Sequence, residues 1–165
     1  QYALENPDNP RLQWAIGHAY TLRGERDRAI PYFEQAIALG DTSDRTLREL
    51  ANISLAAEDF EQAASYYQLL LQQNPNDVEA HSALAFVAAR QGQVDEAIMH
   101  NQAVLQQAPN DYDSLKNLAI LFQQAQRWQE ALDAARQAQV VAPEAEQPSW
   151  IQFITDLETQ MAAQN

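Results

Sequence analysis

At 165 residues the chain fits one domain by length, and 46% apolar residues is ordinary globular usage. With 23 acidic against 10 basic residues the net charge is −13. That disfavours a nucleic-acid-binding surface, which tracks phosphates with a cationic stripe, and equally a polybasic membrane-surface helix. There is no cysteine, so disulfides, thiolate metal sites and a cysteine nucleophile are excluded.

No run approaches 18 apolar residues and no signal-peptide pattern occurs. Gln1 is not an initiator Met, and Gln1 to Asn6 reads as the tail of an earlier helix, with residues 1–9 as helix end or linker. The chain is therefore expected to be an excised fragment or processed product. Its compartment stays open: cytoplasmic, or the soluble part of a membrane-anchored bacterial protein.

From Pro10 onward a single pattern recurs. Ala29, Ala63, Ala97 and Ala131 are evenly spaced along the chain, Gly24 and Gly92 precede two of them, and Pro75, Pro109 and Pro143 follow the last three. The interval is about 34 residues, which with small residues, a turn and a closing Pro is the mark of a helical solenoid. The predicted fold is all-α, an α-solenoid of antiparallel helix pairs. Its units span approximately residues 10–43, 44–77, 78–111 and 112–145.

Within each unit two stretches show i, i+3, i+4, i+7 apolar spacing, one face of an α-helix. Ile16, Gly17 and Tyr20, and later Leu115, Leu118, Ala119 and Phe122, mark first helices; Ala29, Phe33 and Ala36 mark a second. The turns are predicted at 23–27, 57–59, 91–94 and 125–127. Asn9-Pro10 reads as an N-cap before a proline at the first helical position. Asn76 with Glu79, and Asn110 with Asp113, read as near capping boxes. Pro31 falls inside a second helix and is tolerable only if that helix begins near Arg26. After Pro143, residues 144–148 read as a turn. Residues 149–164 then read as one amphipathic helix carrying Trp150, Phe153, Ile154, Leu157 and Met161, within a terminal capping segment at 146–165.

These residues resemble the tetratricopeptide repeat (TPR) family over about residues 10–143, with the last helix similar to that family's capping helix. Ile16-Gly17, Tyr20, Gly24, Ala29, Phe33 and Ala36 match the pattern in unit one, Leu50-Ala51, Ala63, Tyr67 and Pro75 in unit two, and Leu118-Ala119, Phe122, Ala131, Ala138 and Pro143 in unit four. Unit three departs most, with His81, Ala88 and Asn101 at places usually aromatic or bulky, which puts local packing there in question. The resemblance implies a right-handed superhelix whose concave groove, lined by the first helix of each unit, binds other proteins.

Carrying the family's groove positions onto this chain implies a partner-binding set of Arg11, Trp14 and His18 from unit one and Arg45, Arg48, Asn52 and Leu55 from unit two. Unit three adds Phe86 and Arg90, unit four adds Lys116, Ile120 and Gln124, and Trp150 would close one end. Arg11, Arg45, Arg48, Arg90 and Lys116 are half of all the basic residues, interleaved with Trp14, Leu55, Phe86 and Ile120 as apolar anchors. The expected ligand is a peptide or protein with acidic and apolar side chains. The competing reading pairs the arginines with local acids such as Glu49 and Glu79. Arg48 and Asn52 resemble the first pair of the carboxylate clamp of chaperone-binding relatives. Ala83, Asp113 and Asn117 stand where the clamp needs further donors, so that subtype is not expected.

No active site or cofactor is expected. The three histidines, His18, His81 and His100, are scattered without metal-ligand spacing, His81 at a core-type position, and no nucleotide-binding or hydrolase motif occurs. The leading reading is a non-enzymatic interaction scaffold. The alternatives are the targeting arm of a larger enzyme and a self-association module, of which homo-oligomerisation is not indicated by any motif. Abundant Gln and a single Lys resemble bacterial, particularly cyanobacterial, repeat proteins, some of which help assemble photosynthetic complexes.

Overall fold

The computed structural model describes residues 8–163. The helix tail expected at residues 1–6 and the end of the terminal helix at Gln164 lie outside them. Two compact units result, residues 1–75 and 76–165. The first contains α1 (Pro10–Leu22), α2 (Arg26–Ala38), α3 (Asp44–Ala56) and α4 (Phe60–Gln73). The second contains α5 (Val78–Arg90), α6 (Val94–Gln107), α7 (Tyr112–Gln124), α8 (Trp128–Val141), a 3-10 turn at Glu144–Glu146 and α9 (Gln147–Ala162). Each odd helix from α1 to α7 pairs with the one after it across a three-residue turn, and α9 packs on α8.

The turns inside the pairs share one backbone device. Gly24, Glu58, Gly92 and Gln126 all have left-handed φ, at 75°, 59°, 74° and 58°. After α1, the Gly24 amide bonds the Thr21 carbonyl and the Glu25 amide reaches back to Tyr20, closing the helix as a Schellman motif. The same two bonds recur at Glu58 and Asp59, at Gly92 and Gln93, and at Gln126 and Arg127. The sequence signal was visible only where glycine occupies the position. The turns are also shorter than expected at two places, since Arg26 and Val94 already belong to helices.

Helix starts confirm one expected cap and correct two. Asn9 Oδ1 accepts the amides of Arg11 and Leu12, with Pro10 opening α1. Asn76 and Asn110 are not caps. The cap must directly precede the first helical residue, and there the side chains of Asp77 and Asp111 accept the amides of Ala80 and Ser114, each at 2.9 Å. Pro31 is the sixth residue of α2, just past its first turn, as its tolerance required. Where unit one lacks its closing proline, Asp41 substitutes another restraint. Its carboxylate takes the Ser43 amide at 3.1 Å and the Thr46 hydroxyl at 2.7 Å. Burial pushes the Asp41 pKa up, but these hydrogen bonds and the Arg45 charge outweigh it and hold it below the usual value.

All four periodic alanines are fully buried. In the first unit Ala29, Phe33, Leu50 and Ile53 form a core cluster. Gly17 lies so close to Phe33 that a Cβ there would come within 2.9 Å of the ring, which is why a glycine stands at this helical position. In the second unit Leu115, Leu118, Phe122, Leu132 and Ala135 join Trp150 and Leu157 of α9 in one cluster. The polar departures of unit three are accommodated. Buried Asn101 donates to the Ala97 carbonyl at 2.8 Å, and His81 and His100 bond each other.

Candidate partner-binding faces

In the first unit, the α1/α3 pair collects most of the expected site residues into one layered cluster. The Arg45 guanidinium lies 4.2 Å over the Trp14 ring, and the His18 ring stacks on Trp14 at 4.7 Å with only 12° between planes. His18 Nδ1 in turn meets Glu49 Oε1 at 2.8 Å. Glu49 is the acid that could have neutralised an arginine here, but the fold commits it to His18. Arg45 and Arg11 therefore make no ion pair among the described residues, in a chain with more than twice as many acids as bases.

The Trp14 indole Nε1 is buried without a hydrogen-bond partner. Arg48 and Leu55 are half-buried. Asn52 is exposed but not idle: its Oδ1 accepts the hydroxyl of Tyr67, whose ring is buried between the helices of its own pair. Asn52 thus has a structural duty in addition to its expected surface role.

In the second unit the expected residues divide. Phe86 on α5 is 50% exposed, and Arg90 and Gln124 are exposed. Lys116 and Ile120 of α7 face α9 across an open cavity of about 280 Å³, also lined by Glu146, Ser149, Trp150 and Phe153. Lys116 is not an unpaired cation, because its Nζ lies 3.4 Å from Glu146 Oε2. Trp150 is 6% exposed and forms part of the cavity wall rather than a free end of the surface. Tyr112 donates its hydroxyl to Glu146, a bond that holds the Glu146 pKa below its usual value against the opposing effect of burial.

Sequence reasoning did not single out Tyr112, Glu146 or Phe153 for these faces, and it named Glu49 only as a local acid that could pair with an arginine, whereas its partner is His18. One signal existed: Tyr112 and Glu146 are 34 residues apart, equivalent places one period apart. The histidines require a correction. Scattered in sequence, His81 and His100 are adjacent in the fold, with Nδ1 atoms 2.9 Å apart and His100 only 6% exposed. Helix pairing brings them together across α5 and α6. Among the described residues no three His, Asp or Glu side chains form a metal-binding group. No described helix is long and apolar enough to cross a membrane.

Comparison with known proteins places this geometry. Family models described as tetratricopeptide repeat match residues 77–141, and residues 21–85 and 54–99. No curated protein matches the sequence significantly. Among solved structures, YrrB, described as a TPR protein with an unusual peptide-binding site, superposes with a TM-score of 0.76 at 22% identity, over 86% of this chain and 73% of that one. MamA superposes with a TM-score of 0.74 at 18% identity, over 83% and 80%. A MamA RS-1 double mutant gives 0.75 at 15% identity, over 94% and 96%. At these identities the likeness is one of fold.

Proposed function

The chain belongs to the tetratricopeptide repeat family, and from that membership we propose that it is a recruitment or assembly scaffold binding a protein segment with acidic and apolar side chains. One observation carries the acidic preference. On the α1/α3 face the guanidinium of Arg45 lies over the Trp14 ring, 4.2 Å from its centre, while the nearby carboxylate of Glu49 is taken by His18. A guanidinium stacked on an aromatic ring keeps its N–H edge for a partner carboxylate, and the stacking reduces the ordering cost of binding. Arg11 on the same face adds a second cation. The apolar preference rests on Trp14 and half-buried Leu55 in this unit, and on Phe86 and Ile120 in the other. The Gln-rich composition with its single Lys supports a bacterial setting for this role.

Selection from a random peptide library, followed by calorimetric titration of the enriched peptide, tests the reading. The expected peptides carry Asp or Glu beside Leu, Ile, Phe or Trp, and Arg45→Glu weakens them by about tenfold or more without shifting the melting temperature. Peptides lacking acids, or affinities indifferent to both Arg45→Glu and Arg11→Glu, would remove the α1/α3 face from the function.

A further inference from the structure

The cavity between α7 and α9 differs in chemistry from the cationic face of the first unit. We propose that it is a subsite for one large uncharged apolar side chain of the partner, of the size of Leu, Ile, Phe or Trp. This rests on the scaffold reading above and adds a second, chemically distinct contact to it.

Three observations carry the inference. First, inside its charged mouth the lining is largely apolar. Ile120 is 39% exposed in place, and the rings of Trp150 and Phe153 meet edge to face at 5.6 Å. A cavity of about 280 Å³ has room for a large side chain, and covering Ile120 and Phe153 with an apolar group is favourable.

Second, the cavity is held open. The Trp150 indole N–H is tied to the Tyr112 hydroxyl at 2.8 Å, and that hydroxyl is anchored on Glu146 at 2.6 Å. The tryptophan's polar edge is satisfied by this link, so the ring, itself only 6% exposed, is fixed without a ligand and backs the cavity as a rigid floor. Preorganised walls spare a ligand the cost of ordering them.

Third, the mouth is electrically balanced. Lys116 and Glu146 are both about two-fifths exposed and paired at 3.4 Å. A partner carboxylate would meet Glu146 and a partner ammonium would meet Lys116, so the balanced rim favours a neutral group over either charge. This separates the cavity from the Arg45–Trp14 contact of the first unit, although the protein as a whole is strongly acidic.

The test is a titration of the full chain by NMR, observing the Ile methyl groups and the Trp indole N–H signals. Three probes share the leucine side chain and carry no charge, a carboxylate and an ammonium in turn: N-acetyl-leucinamide, N-acetyl-leucine and leucinamide. The expected result is saturable shifts of the Ile120 methyl and the Trp150 indole at millimolar N-acetyl-leucinamide, with several-fold weaker binding of both charged probes. Ile120→Lys, at a partly exposed position, abolishes the shifts, and Ile120→Leu preserves them. Tighter binding of N-acetyl-leucine would assign the cavity to a carboxylate and overturn the proposal. So would shifts that persist in Ile120→Lys, or no saturation up to the solubility limit. Shifts that grow with protein concentration alone would assign the surface to a second copy of this chain, which also overturns it. These outcomes do not depend on the library selection with Arg45→Glu, so either reading can fail while the other stands.

Discussion

Tyr112 and Glu146, one repeat length apart, share a hydrogen bond of 2.6 Å that fastens the last helix pair to the segment opening α9. The same hydroxyl accepts the Trp150 indole N–H, so one oxygen positions both the acid at the cavity rim and the tryptophan of its wall. Burial raises the Tyr112 pKa, and the bond to Glu146 raises it further, which keeps the phenol protonated and able to donate.

Tyr112→Phe should therefore act through Trp150 as well as through Glu146. It leaves a buried indole N–H without an acceptor, and the expected loss is about 1–3 kcal/mol. Urea unfolding gives the magnitude, and hydrogen exchange should show protection falling first in α9. Uniform loss of protection, with α9 unaffected relative to the rest, would contradict the anchoring role.

The four left-handed turn positions predict a gain. Glu58 and Gln126 hold φ near +60° with a Cβ, where Gly24 and Gly92 hold it without one. Glu58→Gly and Gln126→Gly should each raise stability by up to about 1 kcal/mol, because the strain relieved exceeds the added freedom of the unfolded chain. The midpoint of urea denaturation reads this directly. A lower midpoint for both variants would mean that the side chains supply more than the turn strain costs.

Ala63 is fully buried against the neighbouring helix of its pair, with Tyr67 one turn further along. Ala63→Leu should overpack that contact and cost roughly 1–3 kcal/mol. A neutral melting temperature would count against the close helix approach that the periodic alanines permit.

The His81–His100 pair predicts a pH dependence. Burial, and secondarily the neighbouring His81, lower the His100 pKa below 6.5, while Glu96 opposes them. The unfolded chain then takes up the His100 proton at a higher pH than the folded chain does. Stability should fall as pH drops through about 6.5 and stop falling once the folded state protonates as well. Urea midpoints between neutral pH and about pH 5 should show this slope, and His100→Leu should flatten it even if it lowers stability overall. Asp41, whose pKa is depressed, contributes stability that is present above its unfolded pKa of about 3.8 and is lost at lower pH, so the two effects separate.

Much of the architecture was legible in the chain itself. Helix-forming periodicity and the regular return of Ala29, Ala63, Ala97 and Ala131 are local or strictly periodic signals, and the first helices begin at Pro10, Asp44, Val78 and Tyr112, the residues that open the expected units. Small residues recur because two helices touch there, a demand that every repeat makes at the same place. Caps were less legible: an Asn and an Asp stand side by side at each N-P-N-D or P-N-D turn, and only the true first helical residue decides which one caps.

The chemistry of the faces was decided by tertiary structure. Sequence placed Arg45, Trp14, His18 and Lys116 on one set of helix positions, but charge state and availability depend on which neighbours arrive from other helices. Glu49 goes to His18 and leaves Arg45 on Trp14, while Glu146 neutralises Lys116 and Tyr112 fixes Trp150. Likewise His81 and His100, 19 residues apart, meet only through the pairing of α5 with α6. Periodicity is a property each residue shares with its own helix and is written along the chain. Pairing between side chains of different helices depends on distances of a few ångströms that only the packed fold sets.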